Sequence, residues 1–172
     1  MLGINRNAPD FNLDTVFGEG EDFKTASLKD YSGKWLVLFF YPRGFTFVWP
    51  TELKALDEAY DRIEKAGASV LAVSTDSTFV HKTWMEKNIG FLKYPLGADT
   101  SHTMSRYYEV LEEASGAVLR GTYIIDPQGV IRYSSMQDTG VGRNVRELIR
   151  ILLALKNGGL MPANWEEGQP TL

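Results

Sequence analysis

The chain has 172 residues, of which 44% are hydrophobic and 23% are charged, and its formal net charge is −4. This composition predicts one globular domain, and the acidic balance without a Lys/Arg cluster argues against nucleic acid or an anionic membrane as a partner. Because the sequence contains no cysteine, a disulfide framework and a thiolate zinc site are excluded.

The cellular compartment is predicted from the lack of a membrane-spanning apolar run and of a signal-peptide core. The longest apolar run, residues 35–41, is too short to span a bilayer, and residues 1–10 lack the apolar core of a signal peptide. We therefore expect a cytoplasmic protein.

The first predicted elements are a buried strand and an amphipathic helix. Residues 35–40 form a continuous apolar run after the turn at Ser32 and Gly33, which is typical of a central strand buried on both faces. Apolar residues at helical spacing then predict a helix that begins at Pro50 and continues up to Gly67.

The later elements complete an α/β pattern. They are a strand over residues 69–74, helices over 78–87 and 103–108, a hairpin of residues 121–126 and 130–134, and an amphipathic helix over 143–157. This order predicts a thioredoxin-like α/β fold, with a central mixed sheet flanked by helices.

The segment between the first strand and the first helix carries the most informative motif. Residues 42–52 read Pro-Arg-Gly-Phe-Thr-Phe-Val-Trp-Pro-Thr-Glu and place residue 49 at a helix N-terminus, where free N–H groups stabilise an anion. A cysteine in that place would have a lowered pKa and would be a thiolate at neutral pH. Trp49 stands there instead, and its indole has no thiol.

This segment resembles the active-site loop of peroxiredoxins, whose pattern is Pro-x-x-x-Thr-x-x-Cys-Pro-Thr-Glu. Pro42, Thr46 and Glu52 match the pattern, as do the two residues before Glu52, and Trp49 occupies the position of the peroxidatic cysteine. Met161 opens a Met-Pro-Ala-Asn-Trp segment similar to the one that carries the resolving cysteine. Further matches to the alkyl hydroperoxide reductase and thiol-specific antioxidant branch, of typical two-cysteine type, lie at residues 8–11, 73–76, 81–84, 94–99, 121–127 and 141–144.

The resemblance implies a reaction and a role for each matching residue. The family reaction is the thiol-dependent reduction of hydrogen peroxide and alkyl hydroperoxides in antioxidant defence. Pro42 would shield the site from water, Thr46 would hydrogen-bond the thiolate or the peroxide, and Arg120 would polarise the peroxide O–O bond. Glu52 would orient Arg120, because a buried guanidinium requires an acceptor.

Both departures from the family pattern fall on the two cysteine positions. We therefore predict that the chain is inactive as a peroxidase and is a non-catalytic, oligomeric homologue. The alternative is an altered or engineered form of an active hydroperoxide reductase in which Trp49 replaces the peroxidatic cysteine.

Three local interpretations stay open at this point. Trp49 either fills the vacated pocket or offers an aromatic platform to a ligand. Arg120 and Glu52 form either a polar site for a small oxyanion or peroxide, or a structural ion pair. Thr46 also fits a helix-capping role.

The remaining expectations concern domains, partners and cofactors. Residues 1–157 are expected to form the thioredoxin-like domain and residues 158–172 a tail that docks on a partner subunit, in a homodimer or a ring of dimers. A thioredoxin- or reductase-type electron donor is expected only for a cysteine-containing form. No cofactor or metal is expected, since His81 and His102 lack acidic residues at ligand spacing and Gly140 and Gly142 lack the third glycine of a dinucleotide loop.

Overall fold

The computed structural model describes residues 2–18, 22–44 and 49–172, with the backbone alone at positions 22 and 49. Its strands are β1 (Asn12–Phe17), β2 (Asp22–Ser27), β3 (Trp35–Phe40), β4 (Ala68–Ser74), β5 (Leu96–Ala98), β6 (Leu111–Glu112), β7 (Ala117–Val118), β8 (Arg120–Ile125) and β9 (Ile131–Gln137). Its α-helices are α1 (Trp49–Lys65), α2 (Thr78–Trp84), α3 (Thr103–Tyr107) and α4 (Val145–Asn157).

Within the described residues, seven strands form one mixed sheet in the order β2-β1-β5-β4-β3-β8-β9. The β3, β4 and β5 strands run parallel, whereas β8 pairs antiparallel with both β3 and β9, and β1 pairs antiparallel with β2 and β5. The short β6 and β7 strands pair separately. The predicted α/β fold with a central mixed sheet is confirmed.

Successive residues of β3 contribute to two apolar cores, one on each face of the sheet. Val37 and Phe39 pack with residues of α1, α2 and α4, whereas Leu36, Leu38 and Phe40 pack on the opposite face near α3. Because both faces are covered, β3 is continuously apolar, as the sequence predicts.

The predicted elements differ from the observed ones at several boundaries. The second helix ends at Trp84 and continues as a π-helical turn over Met85–Ile89, and the last helix begins at Val145. The β1–β2 hairpin and β5 were not predicted at all.

The tail after α4 folds back on its own chain. Trp165 is 2% exposed, its indole N–H donates to the Gln169 carbonyl at 3.0 Å, and its own carbonyl accepts from Arg150 of α4 at 3.1 Å. The tail's two ends meet where the Leu172 N–H donates to the Leu160 carbonyl at 2.9 Å. Docking of this tail on a partner subunit stays a prediction.

None of the helices in the described part of the chain is long and apolar enough to cross a membrane.

Candidate functional site

The candidate site lies where β3 ends and α1 begins. The parallel β3 and β4 strands bring their carboxyl ends to one edge of the sheet, and α1 starts at that edge with Trp49. Since β8 runs antiparallel to β3, its first residue, Arg120, lies at the same edge. Arg143 reaches this edge from the segment just before α4.

Glu52, in the first turn of α1, connects these elements through a buried carboxylate. Its Oε1 accepts hydrogen bonds from the Arg143 backbone N–H at 2.6 Å and from Arg143 Nε at 3.0 Å. Its Oε2 accepts from Arg120 Nη1 at 2.5 Å and from Arg143 Nη2 at 3.1 Å. A negative charge in the first turn also interacts favourably with the helix dipole, so Glu52 stabilises the start of α1 as well.

Arg120 is held from two sides. Its Nε and Nη2 groups donate to the Thr139 carbonyl at 2.9 and 2.6 Å, and its Nη1 group donates to Glu52. The pairing with Glu52 that the family resemblance implies is therefore present, while the role of either residue at a reactive centre stays a prediction.

Arg143 completes a three-residue ion cluster that the sequence analysis missed. Its Nη1 group donates to the Gly121 carbonyl at 3.0 Å and to Thr122 Oγ1 at 3.1 Å, and its guanidinium carbon lies 3.2 Å from the centroid of the Phe39 ring. Burial lowers the pKa of the Arg143 guanidinium to about 10; Glu52 opposes this shift and Arg120 adds to it. The only sequence signal was the match of residues 141–144 to the family, which gave Arg143 no partner.

Hydrogen bonds link the described part of the loop after β3 to residues of β4 and α2. Pro42 is half-buried, and the Gly44 N–H donates to Asp76 Oδ2 at 2.6 Å. The same carboxylate oxygen accepts from Ser74 Oγ at 3.0 Å, and Ser74 Oγ lies 2.9 Å from His81 Nε2. These contacts hold Gly44 against the residues that follow β4.

The remaining residues predicted for the site are Thr46, Trp49 and Met161. Thr46 lies outside the described residues, and at Trp49 only the backbone is described, as the first residue of α1. Met161 is half-buried in the tail, in a groove of about 440 Å³ whose lining includes Ile151 and Leu155. Among the described residues, no group of three or more histidines and acidic residues could hold a metal ion.

Comparison with known proteins assigns the family. Residues 4–134 match the model of the AhpC/TSA family. The chain is 46% identical to the putative peroxiredoxin YkuU of Bacillus subtilis, covering 98% of this chain and 97% of the relative. It is 40% identical to alkyl hydroperoxide reductase C of Staphylococcus aureus, covering 100% and 95%.

Solved structures agree with this assignment. The reduced 2-Cys peroxiredoxin of Plasmodium vivax superposes with a TM-score of 0.93 at 32% identity, covering 99% of this chain and 92% of that one. AhpC of Enterococcus faecalis gives a TM-score of 0.87 at 40% identity, covering 91% and 94%. The chain belongs to the AhpC/TSA family and is a peroxiredoxin homologue without cysteine.

Proposed function

We propose that this chain is a non-catalytic peroxiredoxin homologue. The observation that carries the proposal is the placement of Trp49 as the first residue of α1, beside the buried Glu52–Arg120–Arg143 cluster, in a sequence without cysteine. Peroxide reduction by this family requires a thiolate that attacks the peroxide oxygen, and indole supplies no comparable nucleophile.

The ion cluster supports the view that the site has retained its charged residues and lost its nucleophile. Glu52, Arg120 and Arg143 come from three different elements and are almost completely buried. Their hydrogen bonds require close placement of α1, β8 and the segment before α4, so the cluster also fastens these elements to one another. We infer that the charged part of the site is retained for structure and for binding.

A coupled peroxidase assay tests this proposal. The chain is incubated with hydrogen peroxide or an alkyl hydroperoxide, and with dithiothreitol or thioredoxin as the electron donor. We expect no sustained peroxide consumption above the rate without protein. Sustained consumption of either peroxide with either donor contradicts the proposal.

A second candidate, an altered form of an active hydroperoxide reductase, is favoured by the same intact cluster. If the substitution at position 49 alone abolishes peroxidase activity, the charged residues around it stay as they are in an active enzyme. The encoding DNA of the source organism distinguishes the two candidates, because a cysteine codon at position 49 decides for the altered form.

We further propose that the chain is cytoplasmic and forms a homodimer or a ring of dimers. The apolar face of α4 gives little support to this assembly, because Leu148, Ile149 and Leu152 are buried in the chain's own core and only Leu155 is partly accessible. Better support comes from β9, an edge strand of the sheet among the described residues, whose outer backbone groups can pair with a second copy.

A further inference from the structure

The methionines differ in how easily a peroxide molecule reaches their sulfur atoms. Among the described residues, Met85 and Met104 are buried, with 0% and 2% of their surface exposed. Met136, on β9, is half-buried and packs against the core on the α3 face of the sheet. Met161 is also half-buried, but it lines a groove of about 440 Å³ between α4 and the tail. Met161 is therefore the described methionine whose thioether a dissolved peroxide reaches most readily.

The groove around Met161 is lined mainly by aliphatic side chains. Ile151 and Leu155 come from α4, and Leu160 and Pro162 flank Met161 in the tail. A thioether suits this lining, because it is apolar and its flexible side chain adapts to an irregular surface. A methionine sulfoxide does not suit it, because the sulfoxide is polar and costs free energy when it leaves water for an apolar surrounding.

Few polar contacts hold the tail beyond residue 158 against the rest of the chain. Within the described part of the chain, two side-chain hydrogen bonds do so: Arg150 Nη1 donates to the Trp165 carbonyl at 3.1 Å, and Arg62 Nη2 donates to Glu167 Oε2 at 3.5 Å. The second of these joins two exposed side chains and contributes little. Since Trp165 is 2% exposed, apolar burial supplies most of the attachment.

We propose that Met161 is a site of modification by hydroperoxides, and that its oxidation loosens the tail from α4. The sulfur attacks the terminal oxygen of the peroxide. An S–O bond forms, the O–O bond breaks, and the proton passes to the leaving oxygen, which departs as water or as an alcohol. The sulfur is oxidised by two electrons to the sulfoxide, and the peroxide is reduced by the same two electrons. Each sulfoxide consumes one peroxide, so the step does not turn over.

The inference goes beyond the proposed function, since it involves neither Trp49 nor the buried ion cluster. A chain that cannot turn over peroxide still reacts with it once at Met161. Loosening of the tail uncovers the apolar groove on α4 and the indole of Trp165. The oxidised chain therefore presents a different surface from the unoxidised one.

Peptide mass spectrometry after a peroxide pulse tests the site. The unaltered chain receives substoichiometric hydrogen peroxide without a thiol donor, and the sulfoxide fraction at each methionine is measured. We expect Met161 to be oxidised ahead of Met136, and both ahead of Met85 and Met104. Oxidation of Met136 before Met161, or equal rates at the exposed and buried positions, overturns the inference.

Hydrogen exchange of the backbone amides in residues 159–172 tests the consequence for the tail. After oxidation we expect this exchange to be about tenfold faster, the ratio that corresponds to about 1.4 kcal/mol. Met161→Leu keeps an apolar side chain that peroxide does not oxidise, and is expected to abolish the response. Met136→Leu is the matched control and is expected to keep it. Methionine sulfoxide reductases A and B, which each reduce one epimer, are expected to reverse it.

The outcomes separate this inference from the proposed function. A tail that exchanges at the same rate before and after oxidation of Met161, or a Met161→Leu chain that still responds to peroxide, refutes the inference. Met161→Gln carries a permanently polar side chain and is expected to exchange faster without any peroxide; exchange at the unaltered rate contradicts the inference. If Met161→Leu does not fold, Met161→Gln and the unaltered chain decide alone. Peroxide turnover in the coupled assay refutes the proposed function whether or not the tail responds.

Discussion

Glu52 is the single residue on which the candidate site most depends. It is the only carboxylate that bonds Arg120 and Arg143 among the described residues, and it is separated from them by 68 and 91 positions in the sequence. The family motif placed Glu52 with Arg120. Nothing in the spacing of the sequence could place Arg143 there, because its contacts depend on how the segment before α4 crosses the edge of the sheet.

Glu52→Gln is expected to destabilise the fold strongly. The amide leaves two buried guanidinium groups without a carboxylate, and breaking a buried ion pair in this way costs about 3–5 kcal/mol of unfolding free energy. Urea denaturation measures the loss. Glu113→Gln is the matched control, since Glu113 pairs with Arg106 at 2.9 Å on the surface, and its midpoint is expected to be unchanged. Equal midpoints for the two variants contradict a structural role for the cluster.

Trp49→Cys is expected to create a reactive thiol. The unsatisfied N–H groups at the N-terminus of α1 are expected to lower the pKa of the new thiol, so that peroxide oxidises it to sulfenic acid. Dimedone trapping with mass spectrometry detects this product. Adding Met161→Cys is expected to permit an intersubunit disulfide, visible on non-reducing electrophoresis.

The titration of that thiol decides whether the site is intact. A pKa near the ordinary cysteine value of about 8.5, with reactivity no greater than that of a free thiol, shows that the site no longer stabilises a thiolate. The residues around position 49 would then serve a different purpose.

Among the elements, β3 was the most predictable and the β1–β2 hairpin the least. The strand β3 has a continuous apolar run with the bounds that the sequence indicates. In β1 the alternation is broken at Thr15, a buried polar residue that is accommodated because its hydroxyl donates to the Lys24 carbonyl at 3.1 Å. This hydrogen bond between β1 and β2 cannot be predicted from the sequence of β1 alone.

The β5 strand was missed for a steric reason. It has three residues, and its centre is Gly97, a residue that is uncommon in strands. A Cβ atom at this position would lie 3.1 Å from Leu13 Cδ1 and 3.3 Å from Val73 Cγ2, so a side chain here would require these neighbouring side chains to move by a few tenths of an ångström. The glycine is a consequence of packing that local pattern analysis does not detect.

The contact between β4 and α2 is expected to make stability depend on pH. Burial lowers the pKa of His81 to about 4, although the charge of Asp76 opposes the shift. The unfolded chain has an ordinary histidine pKa of about 6.5 and therefore binds more protons between these two values. Unfolding free energy is expected to fall as the pH is lowered from about 6.5 to about 4, by up to about 1.4 kcal/mol per pH unit.

Two histidine variants check this assignment by denaturation at several pH values from 4 to 7. His81→Gln is expected to be less stable at pH 7 and to lose most of this slope. His102→Asn is the control; asparagine tolerates the positive φ of 60° at this position, and the variant is expected to keep the slope. An unchanged slope in His81→Gln assigns the pH dependence to other groups.

At the scale of the whole molecule, we expect self-association through surfaces that a single chain leaves open. The exposed apolar residues include Phe79, Leu160 and Leu172, and β9 presents an edge of the sheet. Light scattering at micromolar concentration is expected to give at least the mass of a dimer. A stable monomer under these conditions contradicts the proposed assembly.

The central claim is that the whole chain cannot turn over peroxide, and a stoichiometric titration tests it most directly. Peroxide is added in large excess with dithiothreitol present, and its consumption is corrected for the reaction without protein. The chain has five methionines, each of which can take up one oxygen atom as the sulfoxide. We predict that consumption stops at or below five moles of peroxide per mole of protein; continued consumption beyond that limit would contradict the account.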